Sequence, residues 1–214
     1  MTSGPRRQMR REPTQERSRA MVERIITAGY AVLLEHGYER SSTARIANRA
    51  GISPGSLYQY FPDKHAVLGR VIDRYTDRLR NRVSRAFVGN LVHPSPGERV
   101  RGSVLALLDA LEDNAGLIRV LYEQLPPTAD THRHDFRNRI DELVTTVLLS
   151  LNVDRETEPV DAIAWVLVRS VENLTISYVL DRPEISREIL VEELTRLITG
   201  YLAERIEFGE RRND

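Results

Sequence analysis

Residues 41–65 read SSTARIANRAGISPGSLYQYFPDKH, and the punctuation of this stretch decides the fold. Ser42 stands where a helix N-cap belongs, Ile46 and Ala50 follow four apart on one face, and Gly51 is the residue type that most easily takes a left-handed C-terminal conformation. Ser53 offers a second N-cap, and Pro54 suits the first helical position because its missing N–H has no partner there anyway. Within this second helix Leu57 and Phe61 lie four apart and are predicted to face inward, which leaves Gly55, Ser56, Tyr58, Gln59 and Tyr60 on the other sides. That outer set is small, polar and aromatic. It suits a helix pressed into a DNA major groove, where small residues permit close approach and hydroxyls and amides meet phosphates or base edges. Asp63 is the expected cap of a third helix beginning near Lys64.

The segment IANRAGISPGSLYQYFPDK, with RIITAGYAVLLEHGYERSS upstream, resembles the N-terminal domain of the TetR family of bacterial transcriptional regulators over roughly residues 20–70. A helix-turn-helix followed at fixed offset by L-Y-x-Y-F-x-x-K is far more restrictive than a generic helix-turn-helix pattern. The resemblance implies that Ser42 and Thr43 open the first short helix where the family often contacts DNA. It implies that Ser53, Pro54, Gly55, Ser56, Tyr58 and Gln59 belong to the recognition helix, and that Tyr60 and Lys64 match positions that commonly hold the DNA backbone. Ala44 departs from the pattern, since some relatives present a long base-reading side chain there. A methyl group touches a thymine methyl but forms no hydrogen bond. Arg45 is the adjacent substitute, turned about 100° around the helix.

Outward from the motif, 214 residues with no cysteine and 41% apolar content allow one or two compact domains and no disulfide scaffold. No apolar run approaches the roughly 20 residues of a membrane helix, and the arginine-rich N-terminus lacks the apolar core of a secretory signal, so a soluble cytoplasmic protein with no membrane partner is expected. The formal net charge of zero is unevenly placed: residues 1–80 hold 15 Lys plus Arg against 8 Asp plus Glu, or +7, and residues 81–214 hold 16 against 23, or −7. A basic front half beside an acidic remainder fits a phosphate-binding domain joined to one that does not bind DNA. The single lysine of the chain is Lys64, at the position where the family motif carries lysine.

Residues 1–19, with six arginines and Gly4, Pro5 and Pro13, are expected to form a flexible basic arm that either reaches a neighbouring minor groove or merely solubilises the chain. Residues 20–66 form the expected helix-turn-helix domain. Its first helix, 20–36, carries Met21, Ile25, Ala28, Val32 and Leu33 on one stripe and is closed by Gly37. Residues 67–214 form the expected ligand-binding and dimerisation domain. The helix from Lys64 continues without a Gly–Pro break to about Phe87, past Val67, Leu68, Val71, Ile72, Tyr75 and Leu79, and a loop follows at 89–97. Helices are expected at 98–113, 115–125, 130–151, 157–180 and 185–207, and strand patterns are absent. The fold class is therefore all-α, an N-terminal three-helix domain plus a larger C-terminal helical bundle.

The helix at 157–180 is apolar nearly all round, and the last helix keeps more apolar positions than one small core needs. Both suggest a subunit interface, and the resemblance implies a homodimer through these two helices. Arg169, Glu172 and Asn173 stand inside the apolar helix with Trp165 one turn earlier. Three readings stay open for them: lining a ligand cavity with Leu108, Tyr122 and Phe136, pairing across a dimer, or facing solvent. His132, Arg133, His134 and Asp135 lack any accompanying metal-binding pattern, and no phosphate-cradling or nucleophile-elbow motif occurs, so no cofactor, metal or catalytic residue is expected. The function expected is a ligand-responsive transcriptional regulator, a repressor that binds an inverted-repeat double-stranded DNA operator as a dimer and is released by an unknown small-molecule effector. The alternatives are a constitutive architectural DNA binder and a helical-bundle enzyme.

Overall fold

The computed structural model describes residues 13–125, 142, 144–146 and 159–210. Among them every regular element is helical, and the chain divides into two compact units, Met1–Ile72 and Asp73–Asp214. The boundary expected from sequence between the helix-turn-helix and ligand-binding domains lay at 66, whereas the two compact units divide after Ile72, with Val67, Leu68 and Val71 fully buried before it.

In that unit α1 spans Pro13–Arg40, α2 Thr43–Ala50 and α3 Pro54–Tyr58, and the first turns of α4, Lys64–Asn90, complete it. Residues 13–19 were expected in a flexible arm and are instead helical. Pro13 occupies the first helical position, where its lost N–H costs nothing, and Gln15, Glu16 and Arg17 favour the helix. Residues 1–12 lie outside the described residues. The expected stop at Gly37 is present as a break in the helical backbone (φ 75°, ψ 174°), and the Ser41 hydroxyl donates to the Gly37 carbonyl at 2.7 Å. Both short helices start as their caps dictate. Ser42 Oγ accepts from the Arg45 N–H at 3.3 Å, and Ser53 Oγ accepts from the Ser56 N–H at 3.1 Å. Gly51 ends α2 at φ 64°. Asp63 caps α4, its Oδ1 accepting from the Ala66 N–H at 2.8 Å. Ile25, Leu33, Ile46 and Leu57 fill the centre of this unit, each fully buried.

The second unit holds the rest of α4, then α5 (Pro96–Glu112), α6 (Ala115–Arg119), a π-helical turn at Val120–Gln124, α7 (Val160–Asp181) and α8 (Arg187–Glu210). The expected helix 130–151 falls almost entirely outside the described residues. The expected helix 115–125 is α6 plus the π turn, a wider coil in which each N–H reaches five residues back. One apolar cluster joins Leu79 and Val83 of α4 with Ala110, Leu111, Ile118, Ile176 and Val179, and a second joins Val104 and Leu108 of α5 with Val191 and Leu194 of α8.

By length and composition α7 is apolar enough to cross a membrane, which the sequence was not expected to provide. Its packing accounts for its composition. Val160, Ile163, Ala164, Leu167, Val168 and Ile176 are buried on one face. Around the rest of its circumference Trp165 is 56%, Val166 41% and Leu174 46% exposed, so among the described residues this helix is only partly covered.

Candidate nucleic-acid interface and apolar cavity

Of the residues nominated for DNA contact, Thr43 of α2 and Tyr58 of α3 stand together in the first unit. α1 holds α2 in place through Arg24, whose Nε donates to the Ala50 carbonyl at 2.7 Å and whose Nη2 donates to the Gly51 carbonyl at 3.0 Å. Leu57 and Phe61 anchor α3 from below. What remains outward on α3 and its flanks is Ser53, Pro54, Gly55, Tyr58 and Gln59, all exposed, with Ser56 and Tyr60 half-buried. Thr43 Oγ1 and the Tyr58 hydroxyl lie 3.1 Å apart, and the Ser53 and Ser56 hydroxyls 2.9 Å apart. The first contact stitches the start of α2 to the end of α3, the second lies within the first turn of α3, and together they fix the hydroxyl positions.

Arg45 is exposed at the edge of this surface, with its Nη1 3.3 Å from both ring nitrogens of His36. Arg49 pairs with Glu35 at 2.5 Å. Both α2 guanidinium groups are thus oriented by the last turns of α1. Lys64 is held too: its Nζ donates to the Glu39 carbonyl at 3.1 Å and sits 5.8 Å from the centre of the Tyr38 ring. The Tyr38 hydroxyl in turn lies 3.0 Å from His65 Nδ1. Burial pushes the Tyr38 phenol above its ordinary value of 10.0, with the negative charges of Glu39 and Asp63 acting in the same direction, so it stays protonated at neutral pH. The ammonium, a compact point charge, is thereby held at the start of α4 against the last turn of α1.

The second unit contains an apolar cavity of about 740 Å³. Its walls come from α4 (Val83, Phe87), α5 (Val104, Leu107, Leu111), α7 (Leu167, Val171) and α8 (Ile198, Leu202). The residues nominated from sequence stand elsewhere for the most part. Leu108 is fully buried against Val104, Val191 and Leu194 and is not in the wall, whereas its neighbours Leu107 and Leu111 are. Trp165 and Asn173 lie on the exposed side of α7. Arg169 is half-buried, its guanidinium 5.7 Å from the centre of the Trp165 ring and its Nη1 3.9 Å from Glu172 Oε2. Tyr122 reaches the cavity at second hand, donating to Glu172 Oε1 at 2.6 Å. Glu172 itself is in the wall and 7% exposed. Phe136 and the His132–Asp135 run lie outside the described residues. The α4 contribution was legible in principle, because its apolar spacing past Leu79 continues to Val83 and Phe87.

Residues 25–71 match the model for bacterial regulatory proteins of the tetR family, and residues 95–202, more than half the chain, match that for a tetracyclin repressor-like C-terminal domain. The chain is 37% identical over 87 residues to the nucleoid occlusion factor SlmA of Pasteurella multocida (strain Pm70), a match spanning 41% of this chain and 42% of that protein. It therefore spans less than half the length of that relative. It is 24% identical over 186 residues to the HTH-type transcriptional repressor DhaR of Mycobacterium sp. (strain GP1), covering 84% of this chain and 91% of DhaR. The crystal structure of a TetR-like transcriptional regulator from Rhodococcus sp. RHA1 superposes with a TM-score of 0.62 at 25% identity, covering 86% of this chain and 96% of that one.

Proposed function

Because the chain belongs to the TetR family of bacterial DNA-binding transcriptional regulators, we propose that it is a ligand-responsive repressor. It binds an inverted-repeat operator as a homodimer and leaves it when an apolar effector fills the cavity of the second unit. The observation that carries the DNA reading is the α3 surface, with Tyr58 and Gln59 exposed over the buried Leu57 and Phe61 and the Tyr58 hydroxyl tied to Thr43 of α2. In this reading Ser53 to Gln59 enter the major groove, Ser42, Thr43 and Arg45 flank them, and Tyr60 and Lys64 hold phosphates. Likeness to the repressor DhaR along most of both chains favours repression.

Dimerisation is supported by the uncovered apolar faces. Trp165, Val166 and Leu174 of α7 and Ile189 and Leu197 of α8 are each two-fifths exposed or more. An isologous two-fold interface through these two helices would bury exposed apolar surface on both protomers. A cavity of this volume with nearly all its wall apolar supports the effector reading, since drug-sized ligands occupy sites of about 300–1,000 Å³. Selection of bound duplexes from a randomised pool tests the proposal: the enriched sequences are expected to be inverted repeats with half-site centres about one helical turn, or a multiple of it, apart. Enrichment of a single asymmetric site, or of none, sinks it.

A further inference from the structure

We infer that the cavity takes an apolar molecule that ends in a carboxylate, with the charged end held by Arg99 near the start of α5, and that it discriminates against amine-ended and hydroxyl-ended molecules of the same length. The inference rests on the cavity being the effector site and deepens that reading.

It follows from an inventory of charge in the wall, where the ionised side chains among the described residues are Arg99 and Glu172. Glu172 is already compensated. The Arg169 guanidinium stands 3.9 Å from its Oε2, and Tyr122 donates to its Oε1 at 2.6 Å. Arg99 is half-buried and has no such counterpart, since among the described residues its partners are backbone carbonyls of the loop before α5. Its Nε donates to the His93 carbonyl and its Nη2 to the Pro94 carbonyl at 3.4 Å. These bonds hold the loop but leave the positive charge unmatched, and a guanidinium carries more N–H donors than they use. The hydroxyls of Ser103, Thr175 and Thr199 each donate to a carbonyl one turn back, those of Arg99, Val171 and Thr195, at 2.7–2.8 Å. Their protons are directed into their own helices, so the donors left for a ligand are those of Arg99.

The rest of the wall extends away from this charge. Val100, Val104, Leu107 and Leu111 continue along α5 from Arg99, and Val83, Phe87 and Leu91 recur at four-residue spacing on α4. Leu111 comes twelve residues after Arg99, about 18 Å along a helix axis. Tyr122 packs on the cluster that contains Leu111, so the Glu172 carboxylate that it binds belongs to the end of the cavity remote from Arg99. A long apolar body therefore fits with its anionic end at Arg99 and clear of Glu172. A half-buried guanidinium beside apolar side chains bears a desolvation cost, which a carboxylate offsets through charge-assisted hydrogen bonds. An ammonium would meet like charge there, and a hydroxyl brings no charge.

The test uses the full chain with three probes of equal tail length, decanoate, 1-decanol and decylamine, titrated calorimetrically below their micelle concentrations. Decanoate is expected to bind about tenfold or more tighter than the other two, the scale of a charge-assisted hydrogen bond. Arg99→Gln should collapse that advantage and leave the affinity for 1-decanol unchanged, with thermal unfolding confirming that the variant folds. Arg99→Lys keeps the charge without the planar fork and should still prefer decanoate to decylamine. A preference that survives Arg99→Gln, or that Arg99→Lys loses as fully as Arg99→Gln does, overturns the role of the Arg99 charge. Decylamine or 1-decanol binding as tightly as decanoate, while the cavity-filling Leu107→Trp abolishes all binding, overturns the carboxylate selectivity and leaves the cavity as an effector site. If no probe binds, or all bind Leu107→Trp unchanged, both the selectivity and the effector reading fail.

Discussion

A Cβ added at Gly29 of α1 would lie 2.9 Å from Val71 Cγ2 and 3.3 Å from Val67 Cγ1 of α4. Alanine gains about 1 kcal/mol over glycine in a helix interior, but forcing a methyl into a filled core costs about 1–3 kcal/mol. Here the second effect wins, because both neighbours are β-branched and fully buried and have no rotamer to retreat into. Gly69, also helical, has nothing within 4 Å of its hypothetical Cβ. Gly29→Ala is therefore expected to lower the urea midpoint and Gly69→Ala to raise it. A Gly29→Ala protein as stable as the parent would contradict the close approach. The pair also marks what single residues disclosed beforehand. Ser42, Gly51, Ser53 and Asp63 were readable as caps because each satisfies backbone groups within three or four residues of itself. The need for glycine at 29 arises from side chains about 40 positions away and leaves no local trace.

At the scale of elements, α8 separates two leucines that sequence left equivalent. Leu194 is 2% exposed and packs with Val104, Leu108 and Val191, whereas Leu197, about 60° further round the helix, is 48% exposed. Leu194→Arg buries an unpaired charge and should cost about 4 kcal/mol or more, enough to unfold many domains. Leu197→Arg should leave circular dichroism and melting nearly unchanged and shift the sedimenting species from dimer to monomer. A Leu197→Arg protein that sediments as a dimer removes α8 from the proposed interface. The surplus of apolar positions on α7 and α8 was legible, since periodicity counts faces. Which face meets the chain's own core was not, because that depends on neighbours distant in sequence. The same blindness scattered the pocket nominations: Glu172 and Asn173 are adjacent, yet about 100° of helix rotation puts one in the cavity wall and the other on the exposed side. The π turn was equally invisible, because an extra residue in one coil is an accommodation to packing rather than a propensity.

For the molecule as a whole, α4 is the element common to both functions. It gives Val67, Leu68 and Val71 to the core of the first unit, Leu79 and Val83 to a core cluster of the second, and Val83 and Phe87 to the cavity wall. In the proposed mechanism, an effector that moves Val83 and Phe87 acts on the same continuous helix whose first residue is Lys64, nominated to hold a phosphate. The effector shifts DNA binding only by its differential affinity for the free and operator-bound states. A typical coupling of about 1–3 kcal/mol corresponds to roughly 5–150-fold in operator affinity, and linkage requires the operator to weaken effector binding by the same factor. Trp165, the only tryptophan, stands off the cavity and is a poor reporter of its filling, so the measurement is fluorescence anisotropy of a labelled operator duplex at saturating and zero effector, paired with calorimetric titration of effector with and without operator. The two fold-changes are expected to agree. An effector that binds free and operator-bound protein equally well would falsify the coupling, leaving a DNA-binding protein whose cavity serves another purpose.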